Sequence, residues 1–209
     1  MTARYKLVIF DFDGTLSDSG EWFLSIIDDL SDRFRFRRVD RAEVEVLRRR
    51  PTREVIAHLR IAGWKLPLIA RYVRARFRDN ASDIRTFDGV RAMLATLSDA
   101  GVRMMLCSSN GEDNVRAVLG ADAARFEAFF CGSGLFGKVA KLRRAVKASG
   151  LAPADILAIG DETRDIDAAR AVGLGCGAVL WGYANPDILT AMKPDVTFAA
   201  PAEIVAYLT

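Results

Sequence analysis

Histidine is almost absent from this chain: among 209 residues, His58 is the only one. A metal site built from several histidines is therefore excluded, and His58 alone could act as a histidine general base. It lies within an apparent helix over residues 53–61, where we expect it to be a surface or packing residue.

Cysteines and long apolar runs are also few. Cys107, Cys131 and Cys176 are far apart, and no Cys-x-x-Cys pair occurs, which predicts reduced core residues rather than a disulfide framework or a zinc site. No apolar run approaches the roughly 20 residues of a membrane span, so we expect no membrane partner. Residues 1–6 lead directly into an apolar strand and leave no room for a signal peptide, which predicts a cytoplasmic protein.

The apolar residues that are present form short runs separated by helical patterns. Strands are predicted at residues 7–10, 102–107, 156–159, 178–181 and 196–198, with the start of another at 129–130. Gly101, Gly150 and Gly173 follow predicted helices, as C-terminal glycines commonly do. Alternating strands and helices predict an α/β fold with a parallel sheet covered on both faces. Ligands of such sheets bind beyond the carboxyl ends of the strands.

Residues 18–87 interrupt this alternation and contain no convincing strand. Helical patterns occupy residues 22–30, 41–47, 53–61 and 68–77. We therefore expect a core made of residues 1–17 and 88–209, and a helical insertion of residues 18–87, called here the helical insert.

The helical insert carries most of the positive charge. Between Arg33 and Arg78 there are fourteen arginines and one lysine but only four acids, a net charge of +11, whereas the whole chain has +3 and the remainder therefore −8. A positive insertion beside a negative core suits an anionic substrate. Any single arginine is nevertheless more often part of a solvated helix surface.

The first strand ends in an unusual pair of acids, Asp11 and Asp13, followed by Gly14 and Thr15. A spacing of two places both carboxylates on one side of an extended chain. Because such close like charges repel, either a cation lies between them or one carries a proton. A hard divalent cation fits oxygen ligands, and Mg²⁺ is the common choice beside phosphate. Gly14 permits a tight turn, and Thr15 offers a hydroxyl to an anion that the metal recruits.

A second polar segment, Ser108-Ser109-Asn110, follows the predicted strand at residues 102–107. These side chains could bind phosphate together with the amides of a helix N-terminus. Alternatively, they form an ordinary helix N-cap.

A third acidic segment follows the strand at residues 156–159 and contains Asp161, Glu162 and Asp165. Asp161 is at the strand tip and is the better metal ligand. Asp165, one helical turn later, could bind a water molecule in the outer coordination shell or a lysine. We expect Asp165 and Glu162 to support the metal ligands without contacting the metal. The alternative is that these acids only favour a helix N-terminus.

Lys138 and Lys141 precede this segment. A lysine beside clustered carboxylates can neutralise phosphoryl oxygens in a transition state. Lys138 directly follows Phe136-Gly137, where a turn can direct it at the sheet, whereas Lys141 is expected to face solvent.

Taken in order, these segments resemble the four motifs of the haloacid dehalogenase superfamily of phosphohydrolases, over essentially the whole chain. The matching positions are Asp11-Phe-Asp-Gly-Thr-Leu, Ser108, Lys138, and Gly160-Asp161 through Asp165. The helical insert is similar to the type 1 cap of phosphoglycolate-phosphatase-like members. Trp181-Gly182-Tyr183 and the later Pro194-Asp195 also look like that subfamily.

The chain departs from the family pattern in two places. Ser108 stands where many relatives have Thr, and the usual Lys-Pro of the third motif is missing, so Lys138 and Lys141 compete for that role. Asp13 argues against a true dehalogenase, and Asp13 with Gly14 argues against a phosphonatase.

The resemblance implies a Rossmann-like parallel sheet core with an inserted α-helical cap, and Mg²⁺-dependent hydrolysis of a phosphate monoester. Asp11 would attack phosphorus to form an aspartyl-phosphate, and Asp13 would act as general acid and then base. The metal ligands would be the Asp11 carboxylate, the Asp13 backbone carbonyl and Asp161. The phosphoryl-binding groups would be Thr15, Ser108 and Lys138, with Ser109 and Asn110 beside them.

The substrate is expected to be a small phosphorylated metabolite. Phosphoglycolate, a sugar phosphate, a nucleotide and pyrophosphate all stay open, and the sequence predicts no oligomeric state. Arg53, and after it Arg50, is our choice for contacting an acidic leaving group, because Pro51 starts a helix there. Two alternatives are a sugar phosphomutase of the same superfamily and, disfavoured, a basic nucleic-acid-binding module.

Overall fold

The computed structural model describes residues 5–132 and 137–209. In the first part of the chain, the elements are β1 (Leu7–Phe10), β2 (Ser17–Asp18), α1 (Gly20–Ser25), α2 (Ile27–Phe34), α3 (Arg41–Leu47), α4 (Thr52–His58), α5 (Leu66–Asp79) and β3 (Arg85–Thr86). They continue with α6 (Val90–Asp99), β4 (Arg103–Cys107), α7 (Glu112–Leu119), β5 (Ala128–Phe130), α8 (Lys138–Ser149), β6 (Ile156–Gly160), α9 (Thr163–Val172), β7 (Gly175–Val179), α10 (Pro186–Ala191), β8 (Val196–Phe198) and α11 (Pro201–Leu208). Short 3₁₀ turns are at Gly63–Lys65, Gly120–Arg125 and Pro153–Asp155.

Six of the strands form one parallel sheet in the order β5-β4-β1-β6-β7-β8. Strands β4 and β5 follow β1 toward one edge of the sheet, and β6, β7 and β8 then extend it from the other side of β1. Such a reversal of strand order creates a crevice beyond the carboxyl ends of the strands, which is where open α/β sheets bind ligands. The expected α/β, Rossmann-like core is confirmed.

Strand β1 is buried on both faces, as its continuous apolar run predicts. Leu7 and Ile9 pack into the layer that contains residues of α8, α9 and α10. Val8 and Phe10 pack into the opposite layer, with residues of α6, α7 and α11. The central position of β1 therefore places the residues that follow it at the middle of the crevice.

The predicted strand at residues 178–181 is displaced: the structure has β7 at Gly175–Val179. Gly175 and Gly177 interrupt the apolar run by which a buried strand is recognised in a sequence. Both positions have too little space for a larger residue. A Cβ on Gly175 would be 2.5 Å from the Tyr5 hydroxyl, and one on Gly177 would be 3.0 Å from the Phe198 ring.

The helices of the helical insert lie between β2 and β3, which pair as a two-stranded antiparallel ribbon. The expectation of no strand in residues 18–87 is wrong at these ends, because two-residue strands are too short to show a period. The predicted helix at residues 22–30 is two helices separated at Ile26. The helix predicted at residues 41–47 is present with its predicted ends, and those predicted at 53–61 and 68–77 are present with shifted ends. The domain bounds at residues 17/18 and 87/88 stay a prediction.

The helical insert is attached to the core through aromatic side chains. The Phe77 ring lies 6.3 Å from that of Phe12 and 5.0 Å from that of Trp22. Since Phe12 stands between Asp11 and Asp13, this contact joins α5 of the insert directly to the acidic segment.

The single histidine and the three cysteines have structural surroundings. His58 ends α4, where its Nε2 lies 2.7 Å from Glu43. All three cysteines are free, and Cys107 and Cys176 are buried. Within residues 5–132 and 137–209, no helix has the length and apolar character needed to cross a bilayer. Residues 1–4, which belong to the segment predicted to be too short for a signal peptide, lie outside the described residues.

Candidate active site

The two aspartates after β1 have different surroundings. Asp11 extends the sheet pairing by one residue, since its N–H donates to Ile159 at 2.8 Å, and its side chain is buried. The Asp13 carboxylate accepts hydrogen bonds from the Ser19 hydroxyl at 2.9 Å and from the Asn110 amide at 3.2 Å. One carboxylate therefore sits in the sheet crevice, and the other lies at the junction of the crevice with the helical insert.

Asp161, at the end of β6, is fully buried and held at both oxygens. The Thr15 hydroxyl donates to Oδ1 at 2.9 Å, and the Tyr183 N–H donates to Oδ2 at 2.8 Å. Gly14, at φ +79°, and Gly182 leave it room, because a Cβ on either would lie 2.2 Å from an Asp161 atom. Glycine at both positions is thus required for the carboxylate to stand where it does.

Lys138, the first residue of α8, joins two acids. Its Nζ lies 2.7 Å from Asp11 Oδ2 and 2.6 Å from Asp165 Oδ1. Asp165 also accepts hydrogen bonds from the N–H groups of Asp161 and Glu162, at 3.2 and 3.0 Å. The lysine is therefore enclosed by carboxylates, as predicted, although Phe136 of the expected turn lies outside the described chain.

Lys141 does not face solvent, and that expectation is wrong. The residue is 4% exposed, and its Nζ donates to the carbonyls of Ser108 at 2.6 Å and Gly132 at 2.9 Å. Because it lies three residues after Lys138, it shares that side of the helix. It binds the loop after β4 rather than a carboxylate.

Ser108, Ser109 and Asn110 form the turn between β4 and α7. The Ser108 hydroxyl accepts from the Asn110 N–H at 3.0 Å within the turn. The N-cap of α7 is Gly111, without a side-chain cap hydrogen bond, so the N-cap alternative is wrong and phosphate binding by this segment stays a prediction. Asn110 bridges this turn to Asp13, and its Oδ1 accepts from the Asn114 side chain at 2.8 Å. The turn therefore lies directly beside Asp13.

Carboxylate crowding dominates the electrostatics of the crevice. Oxygens of Asp11, Asp161 and Asp165 all lie within 4.8 Å of one another. Burial raises the pKa of Asp161 well above its ordinary value, and the charges of the neighbouring acids add to this. Burial also raises the pKa of Asp11, against the lowering effect of Lys138. A divalent cation would relieve this repulsion.

The pKa values of Asp13 and Asp165 are shifted in opposite directions. Burial raises the pKa of Asp13 to about 6, with a further contribution from the charge of Asp11 and opposition from Ser19 and Asn110. Burial alone would raise the pKa of Asp165, but Lys138 and then Arg164 lower it overall. Environments that separate the pKa values of neighbouring acids are typical of acid–base sites.

The helical insert meets this crevice through its segment at residues 48–52. The Thr52 hydroxyl donates to Glu162 Oε2 at 2.7 Å. Arg48 donates to the carbonyls of Tyr183 at 2.7 Å and Gly182 at 3.0 Å. The predicted Arg53 and Arg50 are both exposed.

Only two of the fourteen arginines between residues 33 and 78, all of them within the described chain, are half-buried: Arg48 and Arg74. Arg74 donates to the Ser109 carbonyl at 3.3 Å. These two lie against the core, whereas the other twelve are exposed, as expected for solvated helix surfaces.

Several residues of the site were not among the predicted ones. They are Ser19, Arg48, Thr52, Arg164 and Tyr183. The position of Tyr183 could have been noticed in the sequence, because Trp181-Gly182-Tyr183 follows an apolar strand at the carboxyl edge of the predicted sheet. The others gave none, since single serines, threonines and arginines in a polar segment are indistinguishable from surface residues.

Known proteins share this architecture and much of this sequence. A family model described as haloacid dehalogenase-like hydrolase matches residues 8–179. The phosphoglycolate phosphatase of Synechococcus elongatus is 30% identical over 206 residues, which are 98% of this chain and 97% of that protein.

Solved structures agree on the fold. A haloacid dehalogenase-like family protein from Streptococcus pneumoniae has a TM-score of 0.80 at 19% identity, over 99% of both chains. CbbY from Rhodobacter sphaeroides, in complex with phosphate, has a TM-score of 0.75 at 23% identity, over 98% of this chain and 99% of that one. The chain therefore belongs to the haloacid dehalogenase-like hydrolases, and the prediction that it is a phosphatase is confirmed.

Proposed function

We propose that this phosphatase hydrolyses the phosphate monoester of a small anionic metabolite, with phosphoglycolate as the first candidate, through an aspartyl-phosphate on Asp11 and with Mg²⁺ as cofactor. The observation that carries the proposal is the convergence of Asp11, Asp161 and Asp165 around the ammonium of Lys138. The whole-length similarity to a phosphoglycolate phosphatase supports the choice of substrate. A cytoplasmic location stays a prediction.

The first half-reaction transfers the phosphoryl group to the protein. An Asp11 oxygen attacks phosphorus, the bond between phosphorus and the ester oxygen breaks, and Asp13 gives its proton to the departing alcohol. The raised pKa of Asp13, about 6, keeps a useful fraction of it protonated near neutral pH. Ser19 and Asn110 hold its carboxyl group in place for this transfer.

The second half-reaction releases phosphate. Asp13, now ionised, takes a proton from a water molecule, whose oxygen attacks phosphorus and restores the Asp11 carboxylate. The ammonium of Lys138 balances negative charge on the phosphoryl oxygens in both steps. Ser108, Ser109 and Asn110 are the further phosphoryl-binding candidates. Thr15 stays in that group as a prediction, with its hydroxyl donating to Asp161.

The acidic crevice fits a divalent cation, because it gathers carboxylate oxygens whose repulsion a cation would relieve. Asp11 and Asp161, with the Asp13 backbone carbonyl, would hold it, and Asp165 and Glu162 would support them. When bound, Mg²⁺ supplies positive charge that shields the phosphate from the attacking carboxylate.

The helical insert would select the leaving group. Residues of the sheet crevice act on the phosphoryl group that all esters share, so selection must come from the residues that cover the other end. The net charge of +11 between residues 33 and 78 favours an acidic ester, with Arg53 and Arg50 as the proposed contacts.

The test is a panel of phosphate esters assayed for released phosphate with Mg²⁺. It contains phosphoglycolate, a sugar phosphate, a nucleotide, pyrophosphate and 4-nitrophenyl phosphate, with the Asp11→Asn variant as the blank. We expect the highest kcat/KM for phosphoglycolate and no turnover by the blank. Phosphate release no faster than that of the blank on every ester would overturn the proposal. Dependence on a bisphosphorylated sugar, with phosphate returned to sugar, would identify a mutase instead.

A further inference from the structure

The segment after β7, Trp181-Gly182-Tyr183, contacts both the turn after Asp13 and the candidate metal ligand Asp161. The Trp181 indole N–H donates to the Thr15 carbonyl at 3.1 Å. Gly182 packs against Asp161, and the Tyr183 N–H donates to that carboxylate. This short stretch thus fixes both the turn after Asp13 and the best candidate metal ligand.

The side chain of Tyr183 reaches in the opposite direction, toward the acid–base residue. Its hydroxyl lies 2.6 Å from the Ser19 hydroxyl, and Ser19 donates to Asp13 at 2.9 Å. Ser19 has one hydroxyl hydrogen, and an ionised carboxylate only accepts. When Asp13 is ionised, the hydrogen bonds therefore run from Tyr183 to Ser19 and from Ser19 to Asp13.

The tyrosine ring lies against the start of the helical insert. A Cβ on Gly20, the first residue of α1, would be 3.3 Å from the ring. A tyrosine hydroxyl carries its proton at neutral pH, so this group is available as a donor.

The carbonyl of the same tyrosine binds a second part of the helical insert, the end of α3. Arg48 donates its Nε to Tyr183 and a second nitrogen to Gly182. The Arg48 carbonyl in turn accepts from the Asn185 N–H at 2.8 Å. Arg48 is thus held on the segment that contacts Asp161.

We propose, building on the proposed function, that Tyr183 is a positioning residue that couples the seating of the helical insert, through Arg48, to the orientation of Asp13, through Ser19. Its carbonyl binds the insert, its N–H binds Asp161, and its hydroxyl binds the partner of Asp13. When the insert is seated, all three contacts form together, so proton transfer by Asp13 is most effective when the crevice is covered. A covered crevice also excludes water from the first half-reaction.

A leaving-group comparison distinguishes this role from simple structural support. An alkyl phosphate such as phosphoglycolate needs a proton from Asp13 as its ester bond breaks, whereas 4-nitrophenyl phosphate has a good leaving group and needs little. Misplacement of Asp13 should therefore slow the first half-reaction of the alkyl ester selectively. The ratio kcat/KM reports that half-reaction, because it covers the steps up to departure of the alcohol, whereas kcat also includes the water attack that both esters share. General loss of structure would slow both esters alike.

The central variant is Tyr183→Phe, which removes one oxygen and keeps the ring and both backbone contacts. We expect kcat/KM for phosphoglycolate to fall about ten-fold or more, since small misplacement of a catalytic group has effects of this size, and kcat/KM for 4-nitrophenyl phosphate to change by less than about three-fold. Tyr207→Phe is the matched control, because Tyr207 is a partly exposed residue of α11 whose ring packs on Phe198. It should leave both rates unchanged.

Two further variants test the connections. Ser19→Ala should give the same bias, and the double variant Tyr183→Phe/Ser19→Ala should lose no more than the worse single one, because both act through Asp13. Arg48→Met should reproduce the bias. Arg49→Met should not, because its ion pair with Asp187 is exposed on both sides.

Equal losses on both esters in Tyr183→Phe, or no loss on either, would overturn the inference while leaving the proposed function intact. Multiplicative losses in the double variant would also count against it. Wild-type protein that releases no phosphate above the Asp11→Asn blank would be a different outcome, because it would overturn the proposed function and this inference with it.

Discussion

The ammonium of Lys138 lies 2.7 Å from an Asp11 oxygen, so the carboxylate proposed to attack phosphorus is already paired with a buried cation. Asp11 and Asp165 together raise the pKa of Lys138, against the effect of burial. The lysine therefore stays charged at neutral pH. It can give up part of its contact with Asp11 to the incoming phosphoryl oxygens without changing its protonation.

Replacement of Lys138 should affect chemistry, and replacement of Lys141 should affect stability. We expect Lys138→Met to lower kcat by about 10²- to 10³-fold, the usual effect of removing one group that stabilises a transition-state oxyanion. Lys141→Met should lower the free energy of unfolding by about 1–3 kcal/mol, because two buried carbonyls lose their donor. Steady-state kinetics and denaturant unfolding of both variants provide the comparison. A larger kcat loss in Lys141→Met would reassign the catalytic lysine.

Gly182 should be needed for metal binding. A Cβ at this position would lie 2.2 Å from the Cβ of Asp161, so Gly182→Ala must displace that carboxylate. We expect Mg²⁺ affinity, measured by titration calorimetry, to fall by about ten-fold or more, as it does when groups supporting metal ligands are lost. Gly63→Ala is the control, since a Cβ there meets nothing within 4 Å. Unchanged affinity in Gly182→Ala would place the metal elsewhere.

Mg²⁺ should stabilise the wild-type fold and support turnover. At a concentration of about 100 times Kd, a bound ligand adds about 2.7 kcal/mol, which corresponds to a Tm increase of roughly 5–10 °C for a chain of this length. Asp161→Asn should lose most of this increase. Ca²⁺ should support turnover poorly, because its looser shell misplaces the attacking oxygen. Full activity in excess chelator would remove the metal from the mechanism.

Asp13 should make the metal-free protein less stable as the pH rises. Its pKa is raised to about 6 in the folded chain from 3.8, so the folded state binds this proton more tightly than the unfolded state. Stability from this group is therefore complete below about pH 4 and is lost as the pH rises through about 6. In chelator, Asp13→Asn should raise the free energy of unfolding at pH 7.5 by about 1–2 kcal/mol, given about 1.4 kcal/mol per pKa unit and partial exposure. No difference is expected near pH 4, and a variant less stable than wild type at pH 7.5 would show that burial does not control this group.

Arg53 should discriminate between leaving groups. We expect Arg53→Ala to lower kcat/KM for phosphoglycolate by about ten-fold, the effect of one lost charge-assisted contact, and to spare 4-nitrophenyl phosphate. Arg50→Ala should show a smaller bias. The exposed Arg41 of α3 provides the control. Equal effects on both esters would show that this segment does not contact the leaving group.

The sequence by itself determined the alternating architecture and the acidic strand ends. A fully buried parallel strand needs a continuous apolar run, so β1 at Leu7–Phe10 was predicted with its observed bounds. Carboxyl ends of parallel strands meet at one edge, so Asp11 and Asp161 had to lie close together. Asp13 and Ser108 follow from the same rule, because local spacing and strand direction suffice to place them.

Only the tertiary structure decided which residues join the helical insert to the core. Tyr183 meets Ser19 across 164 positions of sequence, and Arg48 meets Tyr183 across 135. Such contacts depend on how the insert docks, which no local period encodes. The direction of Lys141 was likewise decided by docking, because a polar residue on α8 can face water or a buried carbonyl with the same spacing. Local patterns thus specify strands and their ends, whereas long-range packing selects the partner of each side chain.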